Sequence, residues 1–149
     1  MRRVGEPPKS NQKYRIRPGA YVIAIRNGDV LLTHQSDPEP EFQLPGGGID
    51  PGESPLQALY RETLEETGWR IAKLLRLGAF RRYVYMPEYK LFAEKVCHIY
   101  VAEAVRLLHE PTEPGHHAVW CNPEIAADLV GNPGDAAYLR HVFGLPDLP

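Results

Sequence analysis

One short helix with clear start and stop signals lies in the middle of a chain whose other segments favour β-strands. Ser54-Pro55-Leu56-Gln57 has the pattern of a capping box, with Ser54 at the N-cap, Pro55 at the first helical position and Gln57 reaching back. Gly68 suits the left-handed conformation in which many helices end. The pattern therefore predicts a helix over residues 55–67, which must bury one face against neighbouring structure.

This helix carries an acidic stripe. Glu62, Glu65 and Glu66 stand at i, i+3 and i+4 on one narrow face, with the small Ala58 one turn earlier. The other side is expected to be buried against a sheet and consists of Leu56, Leu59, Tyr60, Thr63, Leu64 and Thr67.

Carboxylates held this close in a cleft repel one another, by roughly 3 kcal/mol for two charges about 6 Å apart. A divalent cation removes that repulsion, and magnesium prefers hard oxygen ligands and shares its shell with phosphate. An isolated stripe of this kind is usually a solvated acidic face, so the surrounding sequence has to decide between the two interpretations.

The segments around the helix predict a mixed sheet. Apolar and β-branched runs favour strands at 19–26, 30–34, 70–85, 91–105 and 118–120, and Asn27-Gly28 is a strong hairpin signal between the first two. Asn122-Pro123 opens a further helix, and a last helix is predicted over 135–143. The expected class is α/β (α+β), a sheet with helices packed on it. We predict an N-terminal leader (1–17), one domain (18–144) and a C-terminal tail (145–149).

Charge and cysteine content exclude several classes of function. A net charge of -2 gives no general attraction to duplex nucleic acid or to an anionic membrane. The basic N-terminus is not followed by an apolar run, so neither a signal peptide nor a membrane span is expected. Cys97 and Cys121 have neither metal-type spacing nor a secreted-framework count. We therefore expect two reduced thiols in a cytoplasmic protein.

The spacing of glycine and charged residues around the helix is far more specific than the stripe alone. Gly47 is followed after five residues by Glu53, and after seven more by Arg61-Glu62-Thr63-Leu64-Glu65-Glu66-Thr67-Gly68-Trp69. This run resembles the Nudix box, and all seven of the fixed positions of that motif are present. Thr63 is less apolar than the pattern asks at its position. The preceding Leu44-Pro45-Gly46-Gly47 also resembles the family's entry to the box.

The resemblance implies a Nudix-like α/β/α sandwich and a hydrolase that uses Mg²⁺, with Mn²⁺ as a possible substitute. It implies that Glu62, Glu65, Glu66 and the backbone carbonyl of Gly46 are metal ligands. It also implies that Arg61 and Glu53 pair and fix the helix against the loop. Glu62 is a candidate general base. A downstream acid sometimes adds a ligand or base in this family, and Glu113 is our choice, ahead of Glu110.

Family substrates are nucleoside diphosphates linked to a variable group, so the resemblance leaves nucleoside triphosphates, dinucleoside polyphosphates and nucleotide sugars open. Tyr85, sixteen residues past Trp69, is similar to a tyrosine of the diadenosine-polyphosphate branch and favours that class slightly. Tyr83 shares its sheet face by alternation. Arg81 and Arg82 are candidates for distal phosphate contacts, with solvent-facing strand cations as an equal alternative. His116-His117 is interpreted as an edge-strand pair and not as a zinc site.

Two other functions are compatible with parts of this pattern. A non-catalytic Nudix-fold nucleotide-binding or sensor domain typically lacks one or more box glutamates, whereas this chain keeps all of them. A purely structural metal site would leave the glycine run and Arg61 unexplained. The expected partner is a small nucleotide, and the sequence leaves a monomer and a homodimer equally open. The attacked phosphorus, the number of metals and the identity of the base are open as well.

Overall fold

The structure, a computed structural model, describes residues 1–37 and 39–147, so the last two residues of the predicted tail lie outside it. Within this part of the chain no helix is long and apolar enough to cross a membrane. The elements are β1 (Arg2–Arg3), β2 (Arg15–Arg26), β3 (Asp29–Gln35), β4 (Glu41–Gln43), β5 (Gly46–Gly48), α1 (Pro55–Thr67), β6 (Trp69–Met86), β7 (Leu91–Leu107), β8 (His116–Cys121), α2 (Pro123–Leu129) and α3 (Pro133–Phe143).

The strands form one mixed sheet in the order β1-β6-β7-β2-β3-β4, with β5 paired to β2 and β8 paired to β3. The β1–β6 and β2–β7 pairs are parallel, and the remaining strand pairs are antiparallel. Helices pack on both faces of this sheet, which confirms the α/β class expected from the sequence.

Alternation along the strands sends side chains to two separate cores. Under α1, Val22, Leu31 and Ile71 pack with Leu59 of the helix. Trp69 and Trp120 also lie on that side, as a T-shaped pair with ring centroids 5.2 Å apart. On the opposite face the core is covered by α2 and α3, and it includes Ile23, Leu32, Phe80 and Leu139.

The hairpin predicted at Asn27-Gly28 is present, with φ of 51° and 81° at its two residues. The first long strand, β2, begins earlier than predicted, at Arg15 instead of near residue 18. The leader also contributes structure: Arg2–Arg3 pair with Phe80 and Arg81 on the sheet edge, and the Val4 N–H donates to the Arg81 carbonyl at 2.9 Å.

Helix α1 has the predicted bounds and caps. Ser54 and Gln57 form the capping box, and Gly68 ends the helix at φ 75°. The predicted buried face was partly wrong: Leu56 and Tyr60 are 42% and 44% exposed, whereas Glu66 is only 6% exposed and Ala58 is fully buried. The cause is that α1 contacts the glycine strand β5 as well as the sheet, so its buried sector extends into the acidic stripe.

Candidate functional site

The glycine run before α1 brings backbone unusually close to its neighbours. Gly46 has φ 142°, and a Cβ there would lie 2.1 Å from the carbonyl oxygen of Ala20. At Gly47 a Cβ would lie 2.6 Å from the carboxyl carbon of Glu62. Side chains at these positions would push the loop off strand β2 and off the helix. The glycines therefore seat backbone directly against the acidic stripe.

Glu66 is the most deeply buried member of the stripe. Its Oε1 accepts a hydrogen bond from the Gly46 N–H at 2.9 Å, and its Oε2 lies 3.7 Å from Nδ1 of His116. Burial raises the pKa of the Glu66 carboxyl well above its usual value, and nearby Glu62 and Glu113 add to the rise. The Gly46 hydrogen bond offsets only part of this effect.

Arg61 ties the helix to the loop before it. Its Nε and Nη2 donate to the two carboxylate oxygens of Glu53 at 2.8 and 2.9 Å, and its Nη1 donates to Glu62 at 2.9 Å. Glu65 and Asp50 lie slightly farther away, at 3.5 and 3.4 Å. The Arg61 hydrogen bonds, helped by the Asp50 N–H, lower the pKa of Glu53 to about 2. The pairing that the resemblance implied is thus present.

A cavity of about 830 Å³ opens beside this network. One end of it, which we call the acidic end, is lined by Gly46, Glu62, Glu66, Glu113 and His116. Glu113 reaches it because the N–H groups of Thr112 and Glu113 both donate to the Glu65 carbonyl, at 2.8 and 2.9 Å. Glu110 and the Glu65 side chain do not line the cavity.

The donor set at the acidic end fits a divalent cation. Burial raises the pKa of Glu62 as well as that of Glu66, and neighbouring carboxylates add to both shifts. A hard cation among these oxygens would remove the repulsion. In residues 1–37 and 39–147 no three His, Cys, Asp or Glu side chains are already gathered at metal-binding range. Side-chain rotation, including release of Glu65 from Arg61, would therefore accompany binding.

The far end of the cavity, the cationic end, is built from other elements. It is lined by Arg82 of β6, Lys95 and Cys97 of β7, and Asp135 in the first turn of α3. Asp135 is 4% exposed, and burial raises its pKa to about 7 even though Arg82, Lys95 and the Leu44 N–H act in the opposite direction. Arg82 and Lys95 therefore face a carboxyl that is only partly ionised at neutral pH.

Tyr21 lines the cavity between the two ends. Burial raises the pKa of its phenol well above the usual value, and Cys97, Asp135, Glu66 and Glu62 add to the rise. The carboxyl groups of the acidic end and that of the cationic end therefore all lie near the Tyr21 ring, and its phenol keeps its proton.

Two of the four predicted substrate-binding residues line the cavity, and two do not. Arg82 and Tyr85 line the cavity. Arg81 and Tyr83 do not: both face Glu94, at 3.7 and 3.4 Å, and the Tyr83 ring packs on Tyr14. Strand alternation separates Arg82 from Arg81 and Tyr83. Tyr85 shares the face of Tyr83, as predicted, and its ring packs on Phe92 with centroids 4.9 Å apart; it borders the cavity at the hairpin end of β6.

Sequence reasoning overlooked several cavity residues. His116 lies inside, with Nδ1 3.0 Å from the Thr33 hydroxyl, while His117 is exposed, as the opposed directions of neighbouring strand residues require. Lys95 and Asp135 carried no motif. Alternation along β7 and the Asn132-Pro133 helix start were the only signals that pointed to them.

The profile described as NUDIX domain matches residues 15–142 of this chain. The chain belongs to the Nudix family. The match covers every strand from β2 onward and nearly all of α3, so the box and the cationic end both lie within the Nudix domain.

Solved Nudix structures share the fold. A mutator MutT protein from Bacillus halodurans superposes with a TM-score of 0.70, covering 85% of this chain and 81% of its own at 23% identity. A Nudix hydrolase from Nitrosomonas europaea gives a TM-score of 0.64 over 91% and 94% of the two chains, at 21% identity. At such identities the likeness concerns the fold alone.

Curated Nudix relatives match over shorter segments. A putative 8-oxo-dGTP diphosphatase of Bacillus subtilis (strain 168) is 39% identical over 74 residues, which are half of each chain. An RNA pyrophosphohydrolase of Helicobacter pylori (strain P12) is 40% identical over 68 residues, or 44% of each chain. The matched segment thus spans about half the length of these relatives.

Proposed function

We propose that this Nudix protein is a pyrophosphohydrolase that hydrolyses a phosphoanhydride bond in a nucleoside diphosphate derivative with the help of Mg²⁺. The observation that carries the proposal is the pair of carboxylates formed by the buried Glu66 and the partly buried Glu62. It is held against the Gly46–Gly47 backbone at the wall of a cavity large enough for a nucleotide. A solvated acidic face would need neither that burial nor those glycines.

Each residue of the acidic end has a role in this proposal. Glu62, Glu66, Glu113 and the Gly46 carbonyl would hold the metal, and Glu65 would join them after leaving Arg61. When bound, the metal polarises a phosphoryl oxygen and makes a water nucleophilic. Glu62 would act as the general base. Arg61 and Glu53 do not line the cavity; they would position Glu62 through the 2.9 Å hydrogen bond from Arg61.

The substrate class rests on residues outside the box. The relatives named above are called a diphosphatase and an RNA pyrophosphohydrolase, and both names support cleavage between phosphates. We favour a substrate with several phosphates, dinucleoside polyphosphates first, over a nucleotide sugar. The free thiols Cys97 and Cys121 are compatible with the cytoplasmic location that we propose. A monomer and a homodimer both remain open.

Glu66→Gln tests the proposal. It removes the charge but keeps the shape and the acceptor for Gly46, so the fold should survive. We expect kcat to fall at least about a hundredfold, because an interaction with developing charge is lost. Binding of Mn²⁺, followed by electron paramagnetic resonance, should weaken in parallel.

Glu103→Gln is the matched control, because Glu103 lies on β7 outside the large cavity and is paired with Lys73 at 3.5 Å. It should leave both readouts unchanged. Wild-type turnover by the folded Glu66→Gln variant would contradict the assigned site. Nucleotide binding by the wild type without any turnover, across a panel of phosphoanhydrides with Mg²⁺, would favour the sensor alternative.

A further inference from the structure

Three cations stand side by side across three neighbouring strands, and two of them, Arg82 and Lys95, line the cationic end. Arg82 of β6 is the register partner of Lys95 of β7, and Lys95 is in turn the register partner of Arg17 of β2. Register partners project to the same sheet face about 5 Å apart. The face is that of the cavity, because Cys97 and Phe80, two residues along from Lys95 and Arg82, belong to the core under α3.

This row is not neutralised from within the described part of the chain. None of the three side chains forms an ion pair within 4.0 Å among residues 1–37 and 39–147. Arg17 instead lies over the ring of Tyr89, 4.6 Å from its centroid, and that ring lines the cavity. Like charges directly opposite one another destabilise a sheet. A row of three is therefore better explained by a ligand than by folding.

The neighbouring carboxyl group of Asp135 does not neutralise the row of cations. Asp135 faces Arg82 and Lys95, but its burial keeps it partly protonated near neutral pH. By contrast, Arg81, next in sequence to Arg82 and on the other face, has its own partner in Glu94 at 3.7 Å. Arg81 on the opposite face is thus paired, whereas Arg82 on the cavity face has no ion pair among the described residues.

The row lies within reach of a ligand that also occupies the acidic end. Gly19 follows Arg17 by two residues on the same face of β2, which is about 7 Å along a strand. Gly19 is the register partner of Gly48. Gly47 precedes Gly48, and because it has no side chain it leaves room for Glu62. One extended molecule can thus touch the glycine run and the cation row together.

We propose that Arg82, Lys95 and Arg17 bind a second phosphate group of the substrate, separate from the anhydride that is hydrolysed at the acidic end. The inference rests on the proposed function and narrows it. It selects substrates with phosphates beyond the cleaved diphosphate and disfavours nucleotide sugars, whose distal group is uncharged. The second phosphate can belong to a dinucleoside polyphosphate or to the next nucleotide of an RNA 5′ end.

The test compares a phosphate-rich ligand with a phosphate-poor one. Binding of a methylene-bridged diadenosine tetraphosphate and of a methylene-bridged ADP-ribose is measured by calorimetry for the wild type, Arg82→Gln and Lys95→Gln. Each variant should weaken the tetraphosphate about tenfold or more, the usual effect of losing a charge-assisted contact. The ADP-ribose analogue should change less than threefold.

Arg81→Gln is the matched control, since it removes a cation one residue away on the opposite face, and it should leave both affinities unchanged. Arg82→Lys and Lys95→Arg should restore most of the lost affinity, which separates a charge effect from damaged packing. Equal losses for both ligands, or no loss for either the tetraphosphate or a 5′-triphosphorylated oligoribonucleotide, would overturn the inference.

Two further measurements identify the compound that supplies the second phosphate and distinguish failure of this inference from failure of the proposed hydrolysis. A 5′-triphosphorylated oligoribonucleotide that loses affinity in Lys95→Gln, while the tetraphosphate does not, would assign the phosphate to RNA; the reverse would assign it to a dinucleoside polyphosphate. If the wild type hydrolyses none of the unmodified compounds with Mg²⁺ but the selective binding losses persist, the proposed hydrolysis fails and the cation row stands.

Discussion

The two ends of the cavity are assembled in opposite ways. The acidic end comes from residues 46–66 together with Glu113 and His116, and its core contacts join residues within one loop and one helix. The cationic end and the cation row draw on β2, β6, β7 and α3, and their contributing residues are spread along the chain from Arg17 to Asp135. The first is tightly hydrogen-bonded, whereas the cations of the second have no ion pair within the described part of the chain. The acidic end is therefore suited to keep a fixed geometry, and the cationic end is suited to bind an anion.

The acidic end should be the less tolerant of the two, and Gly46→Ala tests this most severely. A Cβ 2.1 Å from the Ala20 carbonyl at φ 142° cannot be accommodated without moving β5. We expect a loss of at least about 3 kcal/mol in the free energy of unfolding, measured by urea denaturation. Gly48→Ala is the control, because a Cβ there meets nothing within 4 Å. Equal stability of the two variants would remove the claimed rigidity.

At the cationic end, Asp135→Asn should stabilise the protein instead. The pKa of Asp135 is raised to about 7 in the fold from 3.8, so its ionisation destabilises the folded state as pH rises through that interval. Removing the charge should gain about 2–4 kcal/mol at pH 8, visible as a higher Tm, and little at pH 4. A gain that is equal at both pH values would show that Asp135 is not the titrating group.

At the acidic end, Glu53→Gln should change stability with the opposite pH dependence. Arg61 lowers the pKa of Glu53 to about 2, so this carboxylate stabilises the fold above its ordinary pKa of 4.5 and loses that effect as pH falls toward 2. The variant should have a lower Tm than the wild type at pH 6, and the difference should shrink toward pH 2.5. Glu6→Gln, in the exposed leader, should show no such trend. A constant difference would mean that the Arg61 pair is not responsible.

The smallest effect is expected for Tyr85→Ala. Tyr85 is 51% exposed at the hairpin end beside the cavity, so stacking on a base is worth only about 0.5–1.5 kcal/mol. KM for dinucleotides should rise about two- to tenfold with kcat unchanged. Tyr60→Ala, a surface tyrosine on α1, should change neither constant. A uniform rise for every substrate would end the case for a selective base contact.

The same contrast explains what could be predicted from the sequence. Caps, glycines and the box are local signals, so the bounds of α1, the Arg61–Glu53 pair and the Asn27-Gly28 hairpin were all foreseen. Strand register is not local: nothing near Lys95 reveals that Arg82 and Arg17 are its partners. The exposure of Leu56 and Tyr60 was missed for the same reason, since it depends on where β5 packs.

The placement of the indoles decides which optical signals will be useful. The chain has two tryptophans, Trp69 and Trp120, and their edge-to-face contact lies under α1, on the sheet face away from α3. Their emission and their near-ultraviolet circular dichroism will therefore follow melting of that layer and remain nearly silent when a nucleotide enters. Occupancy is better followed through tyrosine absorbance, because Tyr21, Tyr85 and Tyr89 all line the cavity.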